Sequence, residues 1–204
     1  MLGEKVSGEY RTLELDMVAV KSPQFSYSRI KGADPVASVE MGSTGEVACF
    51  GDSYSEALIT SMMAAGFRLP QKNILVSLGG EENKLKLLPA LEKLAQLGFR
   101  FFGTEHTADF MNAHRIRCKK VYKLHTRKHP NVGDLLVSKD LDLIINIQGL
   151  ALKPTQDGFV IRRRAIDMNI PLITNRQLAE AFIMALVETK GVKFKTKAWS
   201  EYRI

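Results

Sequence analysis

Cysteine is scarce in this chain: Cys49 and Cys118 are the only two among 204 residues. They stand far apart in apolar surroundings, which argues for reduced thiols in an intracellular protein and against a disulfide-built scaffold. Long hydrophobic runs are missing as well. None approaches the ~18 residues of a membrane span, and the N-terminus, with Glu4, Lys5 and Glu9, lacks the apolar core of a signal peptide. A soluble, cytoplasmic protein with no membrane partner is expected. The sequence also has no Gly-rich phosphate loop with a Walker lysine, no nucleophile–base pair and no metal-ligand cluster. Its histidines, at 106, 114, 125 and 129, read as surface residues. One stretch lacks acid altogether. Between Asp109 and Asp134 lie Arg115, Arg117, Lys119, Lys120, Lys123, Arg127 and Lys128, uninterrupted by Asp or Glu. Such a stripe favours anions, or is simply a solvated face beside a loop. No aromatic base-stacking motif or helix-turn-helix signature accompanies it, so nucleic acid is not the expected partner.

What is present suits one globular domain with an appendage, since 45% hydrophobic and 25% charged residues suffice for a core and a soluble surface. The stretch from Val20 to Gly51 is different. Pro23, Gly32, Pro35, Gly42, Gly45 and Gly51 punctuate apolar pieces too short to bury one another, as in an edge taken from something larger. Residues 1–51 are read as an irregular leader, with alternation enough for one strand over Arg11 to Val20. Asp52 or Ser53 then offers an N-cap to a helix that ends near Gly66 and is closed off by Pro70, so 52–69 reads as a connecting helix.

From Asn73 onward, short apolar runs alternate with longer amphipathic ones. The runs 74–78, 99–103, 118–124, 141–147 and 171–174 predict strands, and 84–97, 105–113, 131–138, 158–168 and 176–189 predict the helices that follow them. This alternation implies a five-stranded parallel α/β sheet with helices on both faces and right-handed crossovers. Pro89 is awkward in the first of these helices, because an interior proline costs about 3 kcal/mol; a regular helix starting near Leu88 would place it in the first turn.

Ligands of such sheets bind at the carboxyl ends of the strands. There the sequence places Lys84 after the first strand, Thr104 and Thr107 after the second, Lys123 beside the third and Asn146 at the end of the fourth. Two hydroxyls three residues apart at a helix start can face one anion, helped by unpaired N–H groups and the helix dipole. The lysines add charge-assisted hydrogen bonds, and Asn146 donates or accepts at a sugar or base edge. Each also has a plainer role: Thr104 as an N-cap, Lys84 as a solvated helix lysine, Lys123 as part of the basic stripe, Asn146 as a strand-end turn residue.

The run FSYSRIKGADP (Phe25 to Pro35), followed by EMGSTGEVACFG (Glu40 to Gly51), resembles the end of the second ATP-grasp half of the carbamoyl phosphate synthetase large subunit. The T-x-x-T pair, the IIN strand end and VIRR (Val160 to Arg163) resemble its C-terminal regulatory domain. The resemblance implies a C-terminal fragment: an ATP-grasp remnant over 1–51, then a methylglyoxal synthase-like allosteric domain over 70–204. It implies that Lys84, Thr104, Thr107, Lys123 and Asn146, with Gln148 as an extra ligand, hold a small anionic regulator. Family members bind uridine or inosine monophosphate, other nucleotide-type phosphates, or N-acetylglutamate. The last goes with an aromatic residue near the place of Lys123, so the two lysines here tilt toward a phosphorylated effector. Thr174 matches a contact for ornithine, whereas Ser22 replaces an acidic one.

The implied parent makes carbamoyl phosphate for pyrimidine and arginine synthesis, using ATP with Mg or Mn and ammonia from a glutaminase partner. Those catalytic parts would precede this chain, which itself needs no cofactor. The alternative is an enzyme, because methylglyoxal synthase shares the fold. That enzyme deprotonates dihydroxyacetone phosphate with an aspartate in a loop after the fourth strand. Here the loop reads NIQGLALKPTQDG (Asn146 to Gly158), and Asp157 lies far along it, beyond the reach expected of the base.

Overall fold

The computed structural model describes residues 15–36, 42–126, 128–138, 140–149, 156–194 and 197–202, without the side chains of His125, Gln156 and Trp199. The leader is more regular than its punctuation suggests. It forms two antiparallel strands, β1 (Val18–Gln24) and β2 (Gly45–Gly51), paired from Val18 opposite Gly51 to Gln24 opposite Gly45. The strand expected from Arg11 therefore starts later, and residues 11–14 lie outside the described set. Pro23 is accommodated because this sheet has only two strands, so both are edges. The hairpin is not self-sufficient; it covers α1 (Tyr54–Ala64), where the buried hydroxyls of Ser22 and Ser61 meet at 2.8 Å. Ser53 caps that helix by accepting from the Glu56 N–H at 3.2 Å, while the Glu56 carboxylate accepts from the Asp52 N–H at 2.9 Å.

The main sheet contains β3 (Asn73–Leu78), β4 (Arg100–Thr104), β5 (Cys118–Val121), β6 (Leu143–Ile147) and β7 (Leu172–Ile173). All pairings are parallel, in the order β5-β4-β3-β6-β7. Between them run α2 (Glu81–Gln96), α3 (Glu105–Ala113), α4 (Val132–Ser138), α5 (Gln156–Asp167) and α6 (Arg176–Glu188). The expected five-stranded α/β architecture is thus present. β5 is shorter than expected, because Tyr122 leaves the ladder to bridge Asn131 and residues 124–126 form a single turn of 3₁₀ helix.

The central strands are apolar on both sides, which demands cover on both faces. Ile74, Val76 and Leu78 of β3 pack with α1, α2, α3 and α6, while Leu75 faces the opposite core of Val132, Leu136, Ile161 and Ala165 from α4 and α5. On α2, Leu87, Ala90, Leu91 and Leu94 recur at i, i+3, i+4 and i+7 and form its buried stripe. Each fully buried leucine there contributes about 1.5–3 kcal/mol.

The start of α2 corrects the expectation. It begins at Glu81, not at Lys84 or Leu88, after Gly80 turns the chain with φ 79°, and Pro89 lies inside it. Leu85 and Pro89 are both exposed, so water serves the carbonyl that the missing N–H leaves unpaired. Glu81 and Glu82 in the first turn favour this earlier start through the helix dipole. No helix among the described residues is long and apolar enough to cross a membrane.

Candidate functional site

Strand order reverses direction between β3 and β6, and a crevice opens where adjacent strands send their connections to opposite faces. A cavity of about 130 Å³ lies at the carboxyl ends of the strands there. Its walls include Ser77 at the end of β3 and Gly79 after it, Thr104 and Thr107 at the start of α3, Lys123 beyond β5, Asn146 of β6 and Gln148 just after it, and Asp157 and Arg162 from α5. The loops after β3 and β6 touch: a methyl carbon at Gly79 would collide with the backbone nitrogen of Gly149 and lie 3.0 Å from its Cα. The Asn83 side-chain amide ties the same loops together, donating to the carbonyls of Gly79 at 2.7 Å and Gln148 at 3.0 Å.

Thr104 and Thr107 are 4% and 1% exposed. Thr104 stands at the N-cap of α3 but makes no side-chain cap; its hydroxyl lies 3.2 Å from Ser77 Oγ and 3.3 Å from Thr107 Oγ1. Thr107 Oγ1 accepts from the Leu78 N–H at 3.0 Å, and its contact with the Leu78 carbonyl, at 3.5 Å, is at the outer limit of a bond. Because Thr107 donates to that carbonyl only at this long distance, a ligand oxygen at ordinary hydrogen-bond range can take its proton instead. Lys123 is half-buried and has no ion pair among the described residues. The N-termini of α3 and α5 both border the space, and their helix dipoles favour an anion there.

Asn146 is 3% exposed, and its Oδ1 accepts from Arg162 Nη1 at 2.9 Å. Its Nδ2 has no hydrogen-bond partner among the described residues. Arg162 is 0% exposed and is neutralised from the leader, where Asp34 accepts from Nε at 2.7 Å and from Nη2 at 2.5 Å. A buried guanidinium needs such a partner, since an uncompensated charge there is prohibitive.

Of the residues singled out by sequence, Thr104, Thr107, Lys123, Asn146 and Gln148 are brought together. Lys84 is not among the cavity's walls. Because α2 starts at Glu81, Lys84 falls in its first turn; there its ammonium pairs with Glu81 at 3.1 Å and lies 5.6 Å from the centre of the Phe110 ring on α3. Thr174 follows β7 at the far edge of the sheet, also outside the cavity, and the hydroxyl of Ser22 is taken by Ser61. Asp157, read as too far along a loop, is in the first turn of α5 and borders the cavity with His106. Residues 150–155 of that loop lie outside the described set. Sequence reading missed Ser77, His106 and Arg162 as cavity residues. Arg162 had one signal, a run of three arginines (Arg162 to Arg164) at the centre of an otherwise apolar helical stretch.

Residues 86–174 match the family model of the MGS-like domain. This part of the chain is an MGS-like domain. The similarity extends well beyond it. The chain is 42% identical to Multifunctional protein ura1 of Schizosaccharomyces pombe over 90% of its length. It is 37% identical to Multifunctional protein CAD of Squalus acanthias over 100% of it. With the mitochondrial carbamoyl-phosphate synthase [ammonia] of Homo sapiens, identity is 35% over 96%. The resemblance to carbamoyl phosphate synthetase therefore covers most of the chain, leader included. The chain spans only 9%, 10% and 14% of those three relatives, all of them much longer proteins. Methylglyoxal synthase from Elizabethkingia anophelis superposes with a TM-score of 0.44 at 15% identity, over 56% of this chain and 79% of its own. Among the described residues no group of His, Cys, Asp and Glu could hold a metal ion.

Proposed function

We propose that the MGS-like domain is an allosteric effector-binding domain of a carbamoyl phosphate synthetase large subunit. Its ligand is a small phosphorylated, nucleotide-type regulator. One observation carries this reading: the cavity at the strand ends presents hydrogen-bond donors from three directions, namely Thr107 at the start of α3, Lys123 and Asn146. Donors that converge on one space, one of them a lysine ammonium, call for an anion rich in oxygen. A space of about 130 Å³ admits a phosphoryl group, with the rest of the effector lying across the open mouth.

The ligand would tie the loops after β3, β4 and β6 to one another and so favour one docking of the domain on the ATP-grasp half over another. Carbamoyl phosphate synthesis itself, with ATP, a divalent metal and glutaminase-derived ammonia, would belong to the rest of the parent. A thermal-shift series with inorganic phosphate, uridine mono- and triphosphate, inosine monophosphate, phosphoribosyl pyrophosphate and N-acetylglutamate tests the reading. A ligand at about 100 times its Kd adds about 2.7 kcal/mol, a rise of roughly 5–10 °C for a chain of this size. Thr107→Val and Lys123→Ala are expected to abolish the rise; unchanged responses in both would refute the site.

A second reading has one observation behind it: the Asp157 carboxylate and the His106 imidazole border the same cavity. On that reading Asp157 removes a proton from dihydroxyacetone phosphate, which then loses inorganic phosphate to give methylglyoxal. Release of methylglyoxal by the parent chain, lost in Asp157→Asn, would replace the regulatory reading with a catalytic one.

A further inference from the structure

Arginine donates five N–H groups and accepts nothing. In Arg162 all five are taken. Nε and Nη2 donate to the two oxygens of Asp34, and Nη1 donates to Asn146 Oδ1. The orientation of the Gln148 amide that satisfies both of its polar atoms puts its oxygen on the same guanidinium, 2.9 Å from Nη1 and 2.6 Å from Nη2. Arg162 thus borders the cavity with no donor left for a ligand.

What it does instead follows from the planarity of a carboxamide. Whichever atom of Asn146 or Gln148 faces an all-donor guanidinium must be the oxygen; the Gln148 NH₂ group then meets a protein acceptor, whereas that of Asn146, a residue of the cavity wall, is left for a ligand. We propose that Arg162 is the positioning residue of this cavity: held by Asp34 of the leader and backed by the Gln148 oxygen, it fixes Asn146 as an N–H donor toward the ligand, so the site demands a hydrogen-bond acceptor there and its affinity depends on leader docking.

The inference rests on the reading that the cavity binds a ligand, and it adds a direction of coupling. Asp34 lies 128 residues from Arg162, in the loop between β1 and β2, and keeps 30% of its side chain exposed. Whatever pulls that loop away also removes the counter-charge from a buried arginine. The guanidinium must then turn toward other acceptors, and the two amides lose the group that aligned them. By reciprocity, a ligand that engages the aligned NH₂ group of Asn146 strengthens the hold on Asp34.

Asp34→Asn in the full 204-residue chain is the test, since it preserves shape while removing the carboxylate. Uridine monophosphate is titrated calorimetrically into parent and variant, and amide hydrogen exchange over 25–36 is followed with and without it. Affinity is expected to fall ~5-fold or more in the variant. The nucleotide is expected to slow exchange over 25–36 in the parent but not in Asp34→Asn, a linkage that a merely structural Asp34 would not produce. Asp34→Glu, which restores the carboxylate, should recover part of the affinity. Parent binding matched by Asp34→Asn within about twofold, or equal protection of 25–36 in both, overturns the positioning role and leaves the binding site standing. A parent that binds none of the phosphorylated probes overturns the site and this inference together.

Discussion

At the scale of single residues, burial decides chemistry. Cys118 is 5% exposed between β5 and α3, and burial pushes its thiol up to about 12. The reactive species is the thiolate, so at neutral pH Cys118 is inert while it stays folded. Cys49, on β2, is only half-buried. Iodoacetamide at pH 8 is therefore expected to modify Cys49 and spare Cys118 until denaturant is added; equal labelling of both in the native chain would show that β5 opens easily. The same contrast explains which site residues could be read from sequence. Thr104 and Thr107 were legible because a T-x-x-T at the junction of an apolar strand and a helix has one geometry. Lys84 stands outside the cavity walls because its position depends on where α2 starts, and the capping glycine, Gly80, gives no side-chain signal. Arg162 escaped because its role comes from Asp34, a partner that only the folded leader supplies.

At the scale of elements, hydrophobic pattern located all five parallel strands and the helices between them, since both faces of the central strands are buried and helices such as α2 and α6 carry one apolar stripe. The leader hairpin was half-missed for the opposite reason. Its strands alternate weakly and acquire their partner surface from α1, which no local pattern reports. Loop contact was likewise invisible, and it sets the mouth of the cavity. Gly79 and Gly149 approach so closely that the chain after β3 and the chain after β6 act as one wall. Gly79→Ala forces those backbones apart and is expected to cost about 1–3 kcal/mol, the usual range for overpacking, and to weaken ligand binding. Gly45→Ala is the control, because a methyl there meets only the Gln24 side chain, at 3.5 Å. Urea titrations of the two variants check this; equal midpoints would mean that the β3 and β6 loops yield without cost.

At the scale of the whole molecule, the question is how tightly the leader belongs to the domain. The β1–β2 hairpin shares its fate with the core, since Val20 packs against the main cluster and Ser22 is bonded to Ser61 inside it. The loop between the strands is held differently. Its attachment is polar: Arg162 grips Asp34, and the neighbouring Arg163 donates from Nη1 to the carbonyls of Tyr27, Ile30 and Ala33 at 3.0–3.2 Å while Asp167 takes its other face. Polar docking of a half-exposed loop can open without unfolding the sheet, because water replaces the lost acceptors. Arg163→Ala separates the two modes. Hydrogen bonds from a charged donor are worth about 1.5–3 kcal/mol, so amides of Arg29, Ile30 and Ala33, whose N–H groups close turns within the loop, should exchange roughly ten- to a hundredfold faster in the variant. Those of β3 and β6 should keep the protection of the parent. Acceleration spread evenly over loop and sheet would mean that the leader and the MGS-like domain open as one unit, and the loop could not then report the state of the cavity on its own.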